Sequence, residues 1–182
     1  AEHNVGVGAN ALLTLTSGAN NTAVGANALA GLTTGELNIA IGSGAGIAIT
    51  EGDENLIIGT NTLYTNTKSS QNVAIGKNAL YALNFTGTQN GTAENNDNVA
   101  IGFESASNLA SGVGNVLIGT KVMDAAAVGE SYNVCVGHEA MGAVDEGNGT
   151  ADHNVAIGRD ALKGGDMGNN SRTLSGNIAI GS

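Results

Sequence analysis

Asn21-Thr22-Ala23-Val24-Gly25 is followed 17 residues later by Asn38-Ile39-Ala40-Ile41-Gly42, and the same phrase returns at Asn55 and Asn72. Ten copies run through the 182-residue chain, starting at Asn4, Asn21, Asn38, Asn55, Asn72, Asn98, Asn115, Asn133, Asn154 and Asn177. A fixed short period marks a stack of similar units, each touching mainly its neighbours and unable to bury its apolar residues alone. Numbered from the Asn, positions 2 and 4 are almost always Val, Ile or Leu, position 3 is usually Ala and position 5 is Gly. Such alternation reads as a short strand with one bulky and one small face, both apolar. Strands apolar on both faces belong in parallel sheets. The expected fold is therefore mainly β: a parallel β-solenoid, or β-roll, of ten rungs of ~17 residues spaced about 4.8 Å apart. Position 1 is expected to form a ladder of stacked Asn side chains.

Outward from the strand, position 8 is mostly Ala and position 9 mostly Leu or Met, as in Ala28-Leu29 and Ala140-Met141, with an aliphatic residue often at position 12. The 8, 9, 12 spacing predicts a single helical turn, while alternation at 8, 10 and 12 in some copies allows a second strand. The bulky strand face is expected to pack on this Leu layer. The small face, lined by Ala40, Ala74, Ala100, Cys135 and Ala156, is then left open along the rod. Soluble monomers avoid such patches, so sister chains are expected to cover it, as a homotrimer.

Composition narrows the function. The net charge of −10, with six Lys and Arg in all, argues against nucleic acid as a partner. No 18-residue apolar run exists, so membrane insertion is not expected. A lone Cys135 rules out an intrachain disulfide and reads as a buried small residue. Ser, His and acidic residues occur without any pairing of nucleophile and base, so an enzyme is not expected. Calcium-loop patterns and phosphate-binding glycine loops are missing, His3, His138 and His153 are scattered, and neither metal nor cofactor is expected.

The chain reads as one repeat domain, 1–182, with regular rungs over 4–87 and loop-bearing rungs over 88–182, cut from a longer fibre. Extra residues enter after the Gly of position 15, at 88–97, 130–132, 148–153 and 169–176. Residues 92–182 carry net charge −7 against −3 for residues 1–91. Repeat proteins place insertions on one face, often the binding face. Candidate ligand contacts along this edge are Gln89, Asn90, Asn95, Asn96, Tyr132, Asn148, Asp152, His153, Asn169 and Arg172. Tyr64 and Tyr81, both at position 10 of adjacent rungs, are expected to stack, with Phe85 beyond them, as a platform for a sugar or an apolar patch. Thr16, Thr33, Thr50 and Thr67 form a position 13 column, which admits an ice-binding reading or simple hydroxyl-to-hydroxyl bonding.

The stretches NTAVGANALAGLTTG, residues 21–35, and NVAIGKNALYAL, residues 72–83, resemble the head repeats of trimeric autotransporter adhesins. They are more similar still to the repeats of phage-type tail fibres and related bacterial fibre adhesins that carry a self-cleaving chaperone tail. The resemblance implies a homotrimeric extracellular fibre on a cell or virion, binding a bacterial or host surface glycan or protein. A passive shaft spacing a binding tip is the competing expectation.

Overall fold

The structure is a computed structural model, and it describes residues 1–83, 94–125, 129–143, 150–164 and 173–182. Fourteen short strands follow in chain order: β1 (Val5–Val7), β2 (Thr22–Val24), β3 (Ile39–Ile41), β4 (Leu56–Ile58), β5 (Ser69–Ser70), β6 (Val73–Ile75), β7 (Glu94–Asn95), β8 (Val99–Ile101), β9 (Val116–Ile118), β10 (Val134–Val136), β11 (Thr150–Asp152), β12 (Val155–Ile157), β13 (Thr173–Ser175) and β14 (Ile178–Ile180). Ten of them form one parallel sheet in the order β1-β2-β3-β4-β6-β8-β9-β10-β12-β14. Position 3 pairs with position 3 throughout, as in Ala23↔Ala40, Ala74↔Ala100 and Cys135↔Ala156. The fold is the expected parallel β-solenoid.

Among the described residues, the Asn of position 1 closes its own rung, from Asn4 onto Gly18 to Asn154 onto Leu174. Asn38 Nδ2 donates to Asn21 Oδ1 (3.1 Å) and across its own rung to Gly52 O (2.8 Å), while its Oδ1 accepts from Asn55 N (3.1 Å) and Asn55 Nδ2 (2.9 Å). The pattern repeats from Asn4 to Asn177, and the amides from Asn21 to Asn154 are buried. To reach a carbonyl on the far side of its rung, the amide has to point inward.

That direction reverses the expected faces. With position 1 inward, strand alternation turns position 3 inward and positions 2 and 4 outward. Ala40, Ala74, Ala100, Cys135 and Ala156 are fully buried in the chain's own core, beside Leu29, Leu32, Leu63 and Leu80. Val5, Val7, Ile39, Ile41, Ile178 and Ile180 are exposed. The small residues therefore do not line a subunit junction; they are small because the rung is narrow, and the Leu of position 9 fills the space before them. Bulk is exchanged between these columns. At position 9 of the third rung stands Gly46, and the next rung carries Ile57 at position 3; a Cβ placed on Gly46 would lie 2.9 Å from both Ile57 Cδ1 and Leu29 Cδ2.

Positions 8 to 12 form no helix. Three successive tight turns take its place: Ala28 N donates to Gly25 O (3.3 Å), Ala30 N to Asn27 O (3.3 Å) and Leu32 N to Leu29 O (3.1 Å). The intervening amides leave the rung, Leu29 N to Ala45 O (3.0 Å) and Gly31 N to Ile47 O (2.9 Å). Every second donor thus serves the next rung, which a helix cannot do. Positions 7 and 9 pay for this with left-handed backbone, Asn27 at φ 58° and Leu29 at φ 47°, at a cost of about 1–2 kcal/mol for a residue such as Leu. Burial of the Leu side chain, worth roughly 1.5–3 kcal/mol, offsets it.

The Thr column also differs from the expected mutual bonding. Thr16, Thr33 and Thr50 Oγ1 each donate to the carbonyl of the next Thr in the column, at 2.8, 2.9 and 2.9 Å. These hydroxyl protons are spent on backbone.

Candidate functional site

The Asn clamps show where extra residues enter. In regular rungs the closing carbonyl is 14 residues after the Asn, as for Asn98 and Gly112. In the longer rungs Asn115 closes on Glu130, Asn133 on Ala151 and Asn154 on Leu174. The last two residues before each following Asn keep regular bonds, His153 N to Ser131 O (3.1 Å) and Gly176 N to Asp152 O (3.2 Å) among them. Insertions therefore enter before the closing carbonyl, not after it. The two short ladders, β5 with β7 and β11 with β13, stand at this corner. Single-column entry is as expected, but Asn95, Asn96, Tyr132, Asp152 and His153 belong to the repeating corner and not to the inserted loops. Phe85, Gln89, Asn90, Asn148, Asn169 and Arg172 lie outside the described residues.

The corner residues have specific neighbours. Asn96 is fully buried, and neither side-chain polar atom has a hydrogen-bond partner; it is removed from any surface contact. Asp152 Oδ1 accepts from Ser131 N (2.8 Å), as Asp53 Oδ1 does from Glu36 N (2.7 Å) and Ser70 Oγ from Asp53 N (2.9 Å). Its carboxylate tethers one rung to the previous one. Tyr132, 55% exposed, stacks on His153 at 5.1 Å and 26°. Its Cδ1–Cε1 edge lies against Gly114, where an added Cβ would stand 2.8 Å from the ring. His153 covers one ring face, and Tyr132 offers its exposed remainder and its hydroxyl to a ligand. Tyr64 and Tyr81 stack as expected, at 5.1 Å and 8°, and Tyr64 leans over Gly44. They occupy position 10, a different column, so the two aromatic pairs do not converge.

Charged groups gather on the eighth and ninth rungs. His138, Glu139 and Asp160 bring ligand atoms within 4.8 Å of one another. Lys163 already occupies this space: its Nζ bonds both Glu139 Oε2 and Asp160 Oδ1, and Arg159 Nε lies 3.4 Å from Asp160. The Lys163 hydrogen bond holds Glu139 and Asp160 below the usual carboxylate range, and the two carboxylates raise the lysine in turn. The arrangement is a neutralised ion cluster, in which an ammonium stands where a cation would. Burial pushes the Cys135 thiol up to about 12, which leaves no thiolate for nucleophilic or redox chemistry. Sequence reading missed Lys163 and Asp160 because their meeting depends on the left-handed turn.

The chain matches no protein-family model, no curated protein and no solved structure. Among the described residues no helix is long and apolar enough to cross a membrane.

Proposed function

We propose that the chain is a segment of a homotrimeric extracellular fibre that attaches to a cell surface or carries a virion to one, and that it recognises an envelope glycan or protein. The observation that carries this reading is the confinement of the extra residues to one corner, upstream of the closing carbonyls at Glu130, Ala151 and Leu174, while strand and turn columns repeat unchanged. A solenoid that tolerates length at one corner only presents its variable residues as a single edge, and such edges serve binding in repeat proteins. The resemblance of residues 21–35 and 72–83 to fibre-adhesin repeats supports the same class. The exposed rims around Tyr132 and His153 supply polar and aromatic contacts at that edge. Recognition without chemistry is the role assigned to them.

The test is binding of the whole chain to glycan arrays and to intact bacterial and animal cells, compared with a variant in which 84–93 and 144–149 are each shortened to the regular rung length. Saturable binding that the shortened variant loses, with an unchanged circular dichroism spectrum, supports attachment through the edge. Binding to no surface, or equal binding by both proteins, removes it and leaves the shaft reading.

A further inference from the structure

From the outer face of the sheet we infer that copies of this chain pack together through the Val and Ile side chains of positions 2 and 4, with their rods parallel. The inference rests on the self-association in the reading above and not on attachment. Three observations carry it.

The first is extent. Ten strands spaced about 4.8 Å apart make a strip about 43 Å long, and the three-residue strands, positions 2 to 4, make it about 10 Å wide. That flat apolar area, roughly 430 Å², falls in the ~300–600 Å² range at which the largest exposed patch of a monomer is often functional. The second is composition: of the twenty outward residues at positions 2 and 4, all but Thr22 are Val, Ile or Leu, and none is charged. Rows such as Ile39 and Ile41 are 42% and 41% exposed, so the strip is open to solvent at these rows.

The third fixes orientation. The two flanks of the strip carry opposite charge. Position 17 holds Glu54 and Asp97 and no Lys or Arg; position 6 holds Lys77, and Arg159 that already pairs with Asp160 of its own rung, and no acid. Rods related by rotation about an axis along their length set the position 17 flank of one copy against the position 6 flank of another. Lys77 then lies one rung from both Glu54 and Asp97 of the facing copy. A twofold axis across the rods sets the basic flank against itself. Charge at an interface rim selects register and rejects the wrong pairing more than it adds affinity.

Light scattering on the folded chain at micromolar concentration should give a multiple of 17.9 kDa, and Ile39→Lys with Ile41→Lys should return it to one chain with an unchanged circular dichroism spectrum. For orientation, a size-tagged Ile41→Cys chain is treated with a short bismaleimide, which spans the roughly 10 Å between packed sheets, together with untagged Ile39→Cys in one sample and with untagged Val136→Cys in another. Parallel rods give a tagged–untagged crosslinked product in the first pair and little in the second; the buried Cys135 does not compete. A mass of one chain, or crosslinking between Ile41→Cys and Val136→Cys instead, overturns the inference. A mass of two chains supports it and corrects the trimer above; loss of surface binding with crosslinking intact leaves it standing and removes only the attachment reading.

Discussion

Asn38→Ala removes one clamp from the regular half of the solenoid, and its cost can be worked from the bonds it breaks. The side chain accepts from Asn55 N and Asn55 Nδ2 and donates to Asn21 Oδ1, Glu36 O and Gly52 O. After truncation Asn55 Nδ2 still reaches Ser69 O, and Asn21 Oδ1 still accepts from Asn38 N. What remains uncompensated is the buried amide of Asn55 and the carbonyl of Gly52. A buried polar group left unpaired costs about 1–3 kcal/mol, so the pair predicts a loss of roughly 2–6 kcal/mol. Urea unfolding followed by circular dichroism measures it, with exposed Thr34→Ala as a control expected within about 0.5 kcal/mol of the parent. Hydrogen exchange should place the loss near Asn38 and Asn55, since neighbouring rungs share the clamp. If Asn38→Ala costs no more than the Thr34 control, the ladder is ornamental and the account of why position 3 points inward fails.

Other outcomes follow from the same geometry. Asn38→Asp keeps the acceptor but sets a carboxylate against Asn21 Oδ1 and Gly52 O; its pKa should rise on folding, and the variant should regain stability as pH falls through that raised value, read by urea midpoints at pH 7 and 4. Gly59→Ala places a Cβ 2.7 Å from the Gly76 carbonyl at φ 135°, so the variant should unfold at markedly lower urea than the parent or fail to fold. Native Cys135 should resist aromatic disulfide reagents at pH 8 and react fully in urea, because burial and a pKa near 12 keep it protonated. In the ion cluster, Glu139 and Asp160 lie below their ordinary 4.5 and 3.8, so their contribution is present above those values and lost as pH falls through the lowered ones. Lys163 lies above its ordinary 10.5, so its contribution is full below that and lost as pH rises through the raised value. Lys163→Met should move both carboxylates up toward ordinary values in a carbon-13 NMR titration.

Repeat, strand, parallel register and Asn ladder are all legible in the phrase Asn-Val-Ala-Ile-Gly, because a 17-residue period and a two-sided apolar strand leave few alternatives. Its facing direction is not, because Ala and Val are both apolar and alternation alone does not say which side is inside. The deciding residue was the Asn, whose amide reaches Gly52 across the rung, and a second clue lay in the opposed sizes of Gly46 and Ile57. Asn27-Ala28-Leu29 looks helical by spacing, yet repeated left-handed φ at its first and third residues satisfies backbone bonds to a neighbouring rung that a helix would leave open. At the corner, glycines at 112 and 129 mark the same column by eye, but Glu130 and not Gly129 is the carbonyl that Asn115 grips, so the insertions shift upstream.

Isotope-filtered methyl NOE spectroscopy on a mixture of labelled and unlabelled chains tests most directly which side of the strand is the interior. Ile57 Cδ1 and Leu29 Cδ2 flank the same point beside Gly46, so a strong NOE between them within one chain is predicted, with none from Ile57 Cδ1 to another chain. An Ile57 methyl that shows only intermolecular contacts, and none to Leu29 of its own chain, would contradict the account.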